Sequence, residues 1–295
     1  MKIVVATDAW GQTNGVVFAY QRIAEPVREF GAELGFVTPD GFRSAPLPTY
    51  PGIRLAFATP GEVGRRIERE GATHVHIATE GPVGWAARRY CLRRRLPFTT
   101  SYHTRFPEYV RARLPAPLAW SYAYLRRFHR PAQRVLTPTP SMKRELEARG
   151  FAKVALWTRG VDHELFRPRE TSTLDLPRPI FLNVGRLAVE KNLEAFLDLD
   201  LPGSKVIVGD GPSLAGLRRK YPQAHFLGEK FGEDLAQIFA SADVFVFPSR
   251  TDTFGVVLIE ALASGLPVAA YPVTGPLDVI DGSGAGVLDA DLRRA

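Results

Sequence analysis

The chain has 295 residues, 45% hydrophobic and 23% charged, with a net charge of +7 and one cysteine. This is globular composition at a length that suggests about two domains, and the lone Cys91 excludes an internal disulfide framework or a cysteine-based zinc site and fits a reducing compartment. No run of 18 apolar residues exists to cross a membrane, and the apolar run Ile3 to Ala6 is too short for a signal peptide. In chain order, KIVVAT (2–7) is expected to form a buried parallel strand, DAWGQTNGVV a glycine-bearing loop, and FAYQRIAEPVREFG a helix stopped by Gly31. The strands ELGFVT, HVHIAT, PFTTSYH and RVLTPTP follow, separated by helices at 61–70, 82–95 and 117–130, and SMKRELEARG is a helix with Ser141 as N-cap and Gly150 as stop.

Residues 170–179, ETSTLDLPRP, carry prolines without periodicity and are expected to be a linker. The pattern then restarts with IFLNVGR, SKVIVGDG, AHFLG, DVFVFPS, PVAAYP and GAGVLD, with helices between most of them. The expected architecture is therefore two Rossmann-like, doubly wound α/β domains, 1–169 and 180–295, with a cleft between them faced by both sets of strand C-terminal ends. Charge divides unevenly, +11 over residues 1–175 and −4 over 176–295, so the first half is the one expected to meet an anionic surface.

Several stretches could carry chemistry. In NVGRLAVEKN, Arg186 follows a strand and Lys191 stands five residues later; a fork of donors and a point charge suit a diphosphate, although a plain solvated loop fits the pair taken alone. In VGDGPSLAGL, Gly209 and Gly211 let backbone approach a ligand, or simply make a tight turn. In SRTDTFGVVLIEALASGLPV, Thr253 can cap a helix whose first N–H groups, over Phe254, Gly255, Val256 and Val257, form an anion site. Glu260 lies about one and a half turns deeper among apolar neighbours, where a carboxylate could accept a ribose diol, and Asp252 could meet a second polar group. His103 follows a strand of the first domain and would look into the cleft, and Gly15 offers backbone there; a structural histidine and a functionless glycine turn are the plainer alternatives. Walker-type, G-x-G-x-x-G, H-E-x-x-H and G-x-S-x-G motifs are all absent from the sequence.

Together these stretches resemble the retaining glycosyltransferases of family four, which have the GT-B fold. The resemblance covers nearly the whole chain and is strongest over 180–281. The E-x7-E motif of that family falls on Asp252 and Glu260, followed by EALASGLPVAA, with Asp in place of the commoner first Glu. The resemblance implies that Arg186 and Lys191 hold a nucleotide diphosphate and Glu260 its ribose. The backbone of Phe254 to Val257 would hold the distal phosphate, Asp252 and His103 would reach the donor sugar, and Gly15 would lie under the phosphates. It also implies front-face attack, with the leaving phosphate receiving the acceptor's proton, and no metal or other cofactor. The co-substrate would be a hexose linked to UDP or GDP.

For the acceptor, RRYCLRRRLPF and YVRARLPAPLAWSYAYLRRFHR set arginines beside Tyr90, Trp120, Tyr122 and Tyr124. Basic residues among aromatics suit an anionic membrane surface, which points to a membrane lipid or lipid-linked glycan as acceptor and to a cytoplasmic protein on the inner face of the cell membrane. A solvated helix face with core aromatics is the alternative. Competing functions are a sugar-nucleotide epimerase, a phosphorylase or a nucleic-acid-binding module; no recognition motif accompanies the arginines, so no nucleic-acid partner is expected. Relatives of the family usually continue with further helices that cross back onto the first domain, so an ending at GAGVLDADLRRA is expected to be either a minimal or a truncated version.

Overall fold

A computed structural model describes residues 1–10, 15–47, 50–113, 117–170 and 173–295. The chain divides into two units, Met1–Thr158 and Arg159–Ala295. In the first, the strands are β1 (Lys2–Ala6), β2 (Glu33–Val37), β3 (Ser44–Leu47), β4 (Tyr50–Ala56), β5 (His74–Ile77), β6 (Phe98–Ser101), β7 (Val135–Thr137) and β8 (Val154–Leu156). The helices are α1 (Gly15–Ile23), α2 (Pro60–Arg69), α3 (Pro82–Arg94), α4 (Phe106–Arg113), α5 (Leu118–His129) and α6 (Pro140–Ala148). Among the described residues, six strands form one parallel sheet in the order β2-β1-β5-β6-β7-β8. Its short apolar strands are covered on both faces, as parallel strands require. Val4, Ala6, Val75, Ile77 and Phe98 pack against Val63 and Ile67 of α2 and Ala87 and Cys91 of α3, and burial pushes the Cys91 thiol up to about 12.

The second unit holds β9 (Ile180–Val184), β10 (Ser204–Val208), β11 (His225–Phe226), β12 (Val244–Phe247), β13 (Val268–Ala270) and β14 (Gly286–Leu288), with α7 (Leu193–Leu197), α8 (Leu214–Lys220), α9 (Gly232–Ser241), α10 (Val256–Ala263) and α11 (Thr274–Ile280). Its parallel sheet runs β11-β10-β9-β12-β13-β14. Alternation along the strands sends Leu182, Val184, Val206, Val208, Phe245 and Phe247 to one face, against Phe239, Leu258 and Ala261. Ile207 and Val246 go to the other, against Leu193, Phe196 and Leu217. Two parallel sheets wrapped by helices are thus the fold expected from the sequence.

Several local expectations change. The helix expected over 18–31 stops at Ile23, because Pro26 cannot donate to the helical ladder; a 3-10 turn, Pro26–Phe30, continues to Gly31 at φ 69°. The cap of α6 is Thr139, not Ser141: Pro140 takes the first helical position, where its missing N–H costs nothing, so the preceding side chain accepts the Met142 N–H. Ser141 Oγ accepts from Arg144 instead. The antiparallel hairpin of β3 and β4 was not legible, since Pro46 and Pro51 argue against strand wherever a full ladder is needed. The boundary between units falls before Arg159 rather than at 170–179, because Phe166 is buried against Phe239, Arg169 pairs with Glu233, and Leu174 and Leu176 pack on the second core.

Candidate functional site

In the second sheet the strand order reverses between β9 and β12. Chains leaving such neighbours turn to opposite faces, so a crevice opens beyond their carboxyl ends. The residues nominated in the second unit converge on that edge. Arg186 and Lys191 follow β9, Gly209 and Gly211 follow β10, and Asp252 through Glu260 follow β12. The two central loops are laced together. Asn192 Nδ2 donates to Pro248 O at 3.1 Å, Thr251 Oγ1 to Glu190 O at 3.3 Å, and Lys191 Nζ to Asp252 Oδ1 at 2.6 Å. This last contact is a charge-assisted bond between side chains only 24% and 16% exposed. The other oxygen, Asp252 Oδ2, is buried with no hydrogen-bond partner among the described residues. Lys191, expected to face a diphosphate beside Arg186, is thus oriented by the acid expected to face the sugar.

Gly209 and Gly211 have a reason that the sequence did not show. Gly185 N–H donates to Val208 O, Leu187 N–H to Asp210 O and Ser213 N–H to Leu187 O, each at 2.9 Å. These bonds carry the ladder beyond the strands and clamp Arg186 from both sides. A Cβ on Gly209, at φ +136°, would lie 1.9 Å from Gly185 O, and one on Gly211 would lie 2.4 Å from Leu187 O. What approaches the two glycines is the backbone that carries Arg186.

The helix α10 begins at Val256, not at a Thr253 cap. Gly255 holds the N-cap position at φ +82°, which a side chain would resist. Its C-terminus is a Schellman turn: Leu266 N–H returns to Ala261 O and Gly265 N–H to Leu262 O, with Pro267 beyond. Glu260, 4% exposed, stands between buried Leu258 and Ala261. Gly275, unremarked in the sequence, lets the 252–254 segment rest on α11: its Cβ would be 2.7 Å from Phe254 O.

The first unit carries a second constellation. His103 follows β6, as expected, and its Nε2 lies 3.2 Å from Tyr20 Oη, which is 2.7 Å from His76 Nε2. Neither Tyr20 nor His76 was nominated; the alternating histidines of HVHI were the available signal. Gly15 is the first residue of α1, and residues 11–14 of its loop lie outside the described residues. At the reversal between β1 and β5, Asp8 accepts the N–H groups of Val83 (2.8 Å) and Gly84 (3.2 Å) and the Thr79 hydroxyl (2.9 Å). Burial pushes its carboxyl above the usual range, and these bonds draw it back. The N-terminus of α3 is thus filled by the chain's own carboxylate.

Of the aromatics set among arginines, Tyr122 belongs to the core, where its hydroxyl donates to Glu108 Oε1 at 2.7 Å. Tyr90 donates to Glu68. Trp120 is 73% and Tyr124 43% exposed. Among the described residues no helix is long and apolar enough to cross a membrane, and no group of three His, Cys, Asp or Glu could hold a metal ion.

Comparison with known proteins adds the following. The family described as Glycosyltransferase Family 4 matches residues 16–165, and Glycosyl transferases group 1 matches 178–293. The chain is 31% identical to the sulfoquinovosyl transferase SQD2 of Arabidopsis thaliana, over 94% of this chain and 60% of that protein. It is 32% identical to a GDP-mannose-dependent alpha-mannosyltransferase of Mycobacterium tuberculosis, over 97% and 82% respectively. Among solved structures, a sucrose-phosphate synthase from Thermosynechococcus elongatus superposes with a TM-score of 0.74 at 20% identity, covering 99% of this chain and 87% of that one. Anabaena HepE in complex with UDP and glucose gives 0.73 at 16% identity, with the same coverage.

Proposed function

The chain belongs to the family 4 glycosyltransferases, and from that premise we propose that it moves a hexose from a UDP- or GDP-linked donor to a hydroxyl acceptor with retention of configuration. The observation that carries this reading is the Lys191–Asp252 contact at the reversal of the second sheet, where Arg186 follows β9 and α10 follows β12. Two further GDP-mannose-dependent relatives, from Corynebacterium glutamicum and Mycolicibacterium smegmatis, at 33% and 31% identity, support a nucleotide-sugar donor.

A glycosyl transition state is oxocarbenium-like, and negative charge grows on the departing diphosphate. Arg186 offers it a planar fork of donors. Lys191 adds a point charge that Asp252 keeps aimed, so little reorganisation is needed when the bond breaks. The N–H groups of Val256 and Val257 at the start of α10, with those of Phe254 and Gly255 just before it, take the distal phosphate. Glu260 accepts the ribose hydroxyls, and Asp252 is assigned to the transferred sugar. These protein cations supply the charge stabilisation that a divalent cation gives in other transferases. His103 is assigned to the transferred sugar, and the leaving phosphate takes the acceptor's proton on the same face.

A melting experiment with UDP and GDP tests the reading. At a hundredfold excess over Kd, the preferred nucleotide is expected to raise Tm by about 5 °C or more, because it binds only the folded chain. No shift with either nucleotide would overturn the assignment.

For the acceptor we propose a lipid or lipid-linked glycan, reached from the cytoplasm at the inner face of the membrane. Exposed Trp120 and Tyr124, on a helix that also carries Arg126 and Arg127, support it. The chain is expected to float with anionic vesicles, to stay behind with neutral ones, and to release at high salt. Equal flotation with both lipids, or none with either, contradicts a basic membrane face.

A further inference from the structure

In the first unit, the Tyr20 hydroxyl meets two imidazoles, of His76 and His103, and lies 3.4 Å from Ser101 Oγ. Tyr20 of α1 is buried, with Oη 2.7 Å from His76 Nε2 of β5 and 3.2 Å from His103 Nε2 just beyond β6. His76 is held on its other side too: Nδ1 lies 2.7 Å from Thr99 Oγ1, and Nε2 is also 2.9 Å from Ser101 Oγ. Trp157 packs over the group, its ring centroid 5.4 Å from that of Tyr20 and 5.8 Å from that of His103.

A phenol has one proton to give, so Tyr20 cannot donate to both imidazoles. If it donates to His76, the Nε2 of His103 faces an oxygen lone pair and carries the proton. If it donates to His103, the proton must sit on His76 Nε2. The distances separate the two. The 2.7 Å contact has the length of a hydroxyl donating, and 3.2 Å falls at the long end for a ring N–H donating to oxygen.

We propose that Tyr20 is a positioning residue that couples the tautomers of His76 and His103. It keeps His103 as the Nε2–H form and leaves Nδ1 as that ring's acceptor. The consequence for catalysis rests on the assignment of His103 to the transferred sugar. An Nδ1 lone pair accepts from a sugar hydroxyl, whereas an Nδ1–H would present a donor to it.

The test is a long-range proton–nitrogen correlation spectrum of the full chain labelled with 15N-histidine, at a pH where the imidazoles are neutral. Wild-type His103 is expected to be protonated at Nε2. Tyr20→Phe removes the acceptor and is expected to give a mixture of His103 tautomers, with kcat about tenfold or more lower and the donor KM within about twofold. His76→Leu frees the phenol proton for His103 and is expected to flip that ring to the Nδ1–H form; it decides the matter if Tyr20→Phe does not fold. An Nδ1–H wild-type ring, or a His103 pattern unchanged in both variants, overturns the proposal. Full turnover in His103→Ala would instead sink the assignment of His103 to the sugar, and the spectra judge the Tyr20 coupling independently of it.

Discussion

Replacing Arg186 with Ala is expected to lower kcat by about 10²- to 10³-fold, the loss typical when one preorganised donor to a developing charge is removed. The guanidinium sits on a loop clamped at Gly185 and Leu187, and nothing in those backbone bonds depends on the side chain. In Arg186→Ala the stabilisation by UDP or GDP is expected largely to disappear. Lys191→Ala is expected to lose turnover on a similar scale for a further reason. It strands Asp252, whose Oδ2 already lacks a partner and whose Oδ1 would lose its 2.6 Å bond. That variant should thus also be less stable, by about 1–3 kcal/mol, the cost of an unsatisfied buried acceptor. Steady-state rates with the donor, set beside melting curves of the free proteins, separate the two effects. Near-normal turnover in both variants would end the diphosphate assignment.

The second large effect is expected from Gly209→Ala, although this residue need not touch a ligand. The added methyl carbon would lie 1.9 Å from Gly185 O, and at φ +136° the backbone disfavours any side chain. One of the two loops must move by more than an ångström, and the backbone bonds between them carry the shift to the segment that bears Arg186. Overpacking of this kind costs about 1–3 kcal/mol, and a misplacement near 1 Å costs about 10²-fold in rate. Gly216→Ala is the matched control: nothing lies within 4 Å of its added carbon, and the residue is on α8. It is expected to be neutral or stabilising by up to about 1 kcal/mol. If Gly209→Ala melted and turned over like Gly216→Ala, the 208–213 segment would have no part in placing the arginine.

How far the site could be read in advance differs residue by residue. The helix α10 announced itself through local chemistry: an apolar run opened by Gly255, closed by Gly265 and Pro267, with Glu260 set into it. Arg186 was visible because it follows a strand of apolar residues. The partnership of Lys191 and Asp252 was not visible, and Asp252 read from the motif alone was assigned to the sugar. Gly209 was read as open backbone, since a glycine in a turn looks the same whether a ligand or the chain itself lies against it. The Tyr20–His76–His103 group left only a pair of alternating histidines as a trace.

The sequence by itself determined most of the elements and the two-unit parallel architecture, because hydrophobic period, proline, glycine and caps act within a turn or two of the chain. Only the tertiary structure decided which of these residues meet. Lys191 and Asp252 are 61 positions apart, and Tyr20 and His103 are 83 apart. Whether they touch depends on β9 lying beside β12 and β5 beside β6. Strand order is fixed by burial of both faces of each sheet at once, a condition on the whole unit that no local stretch contains.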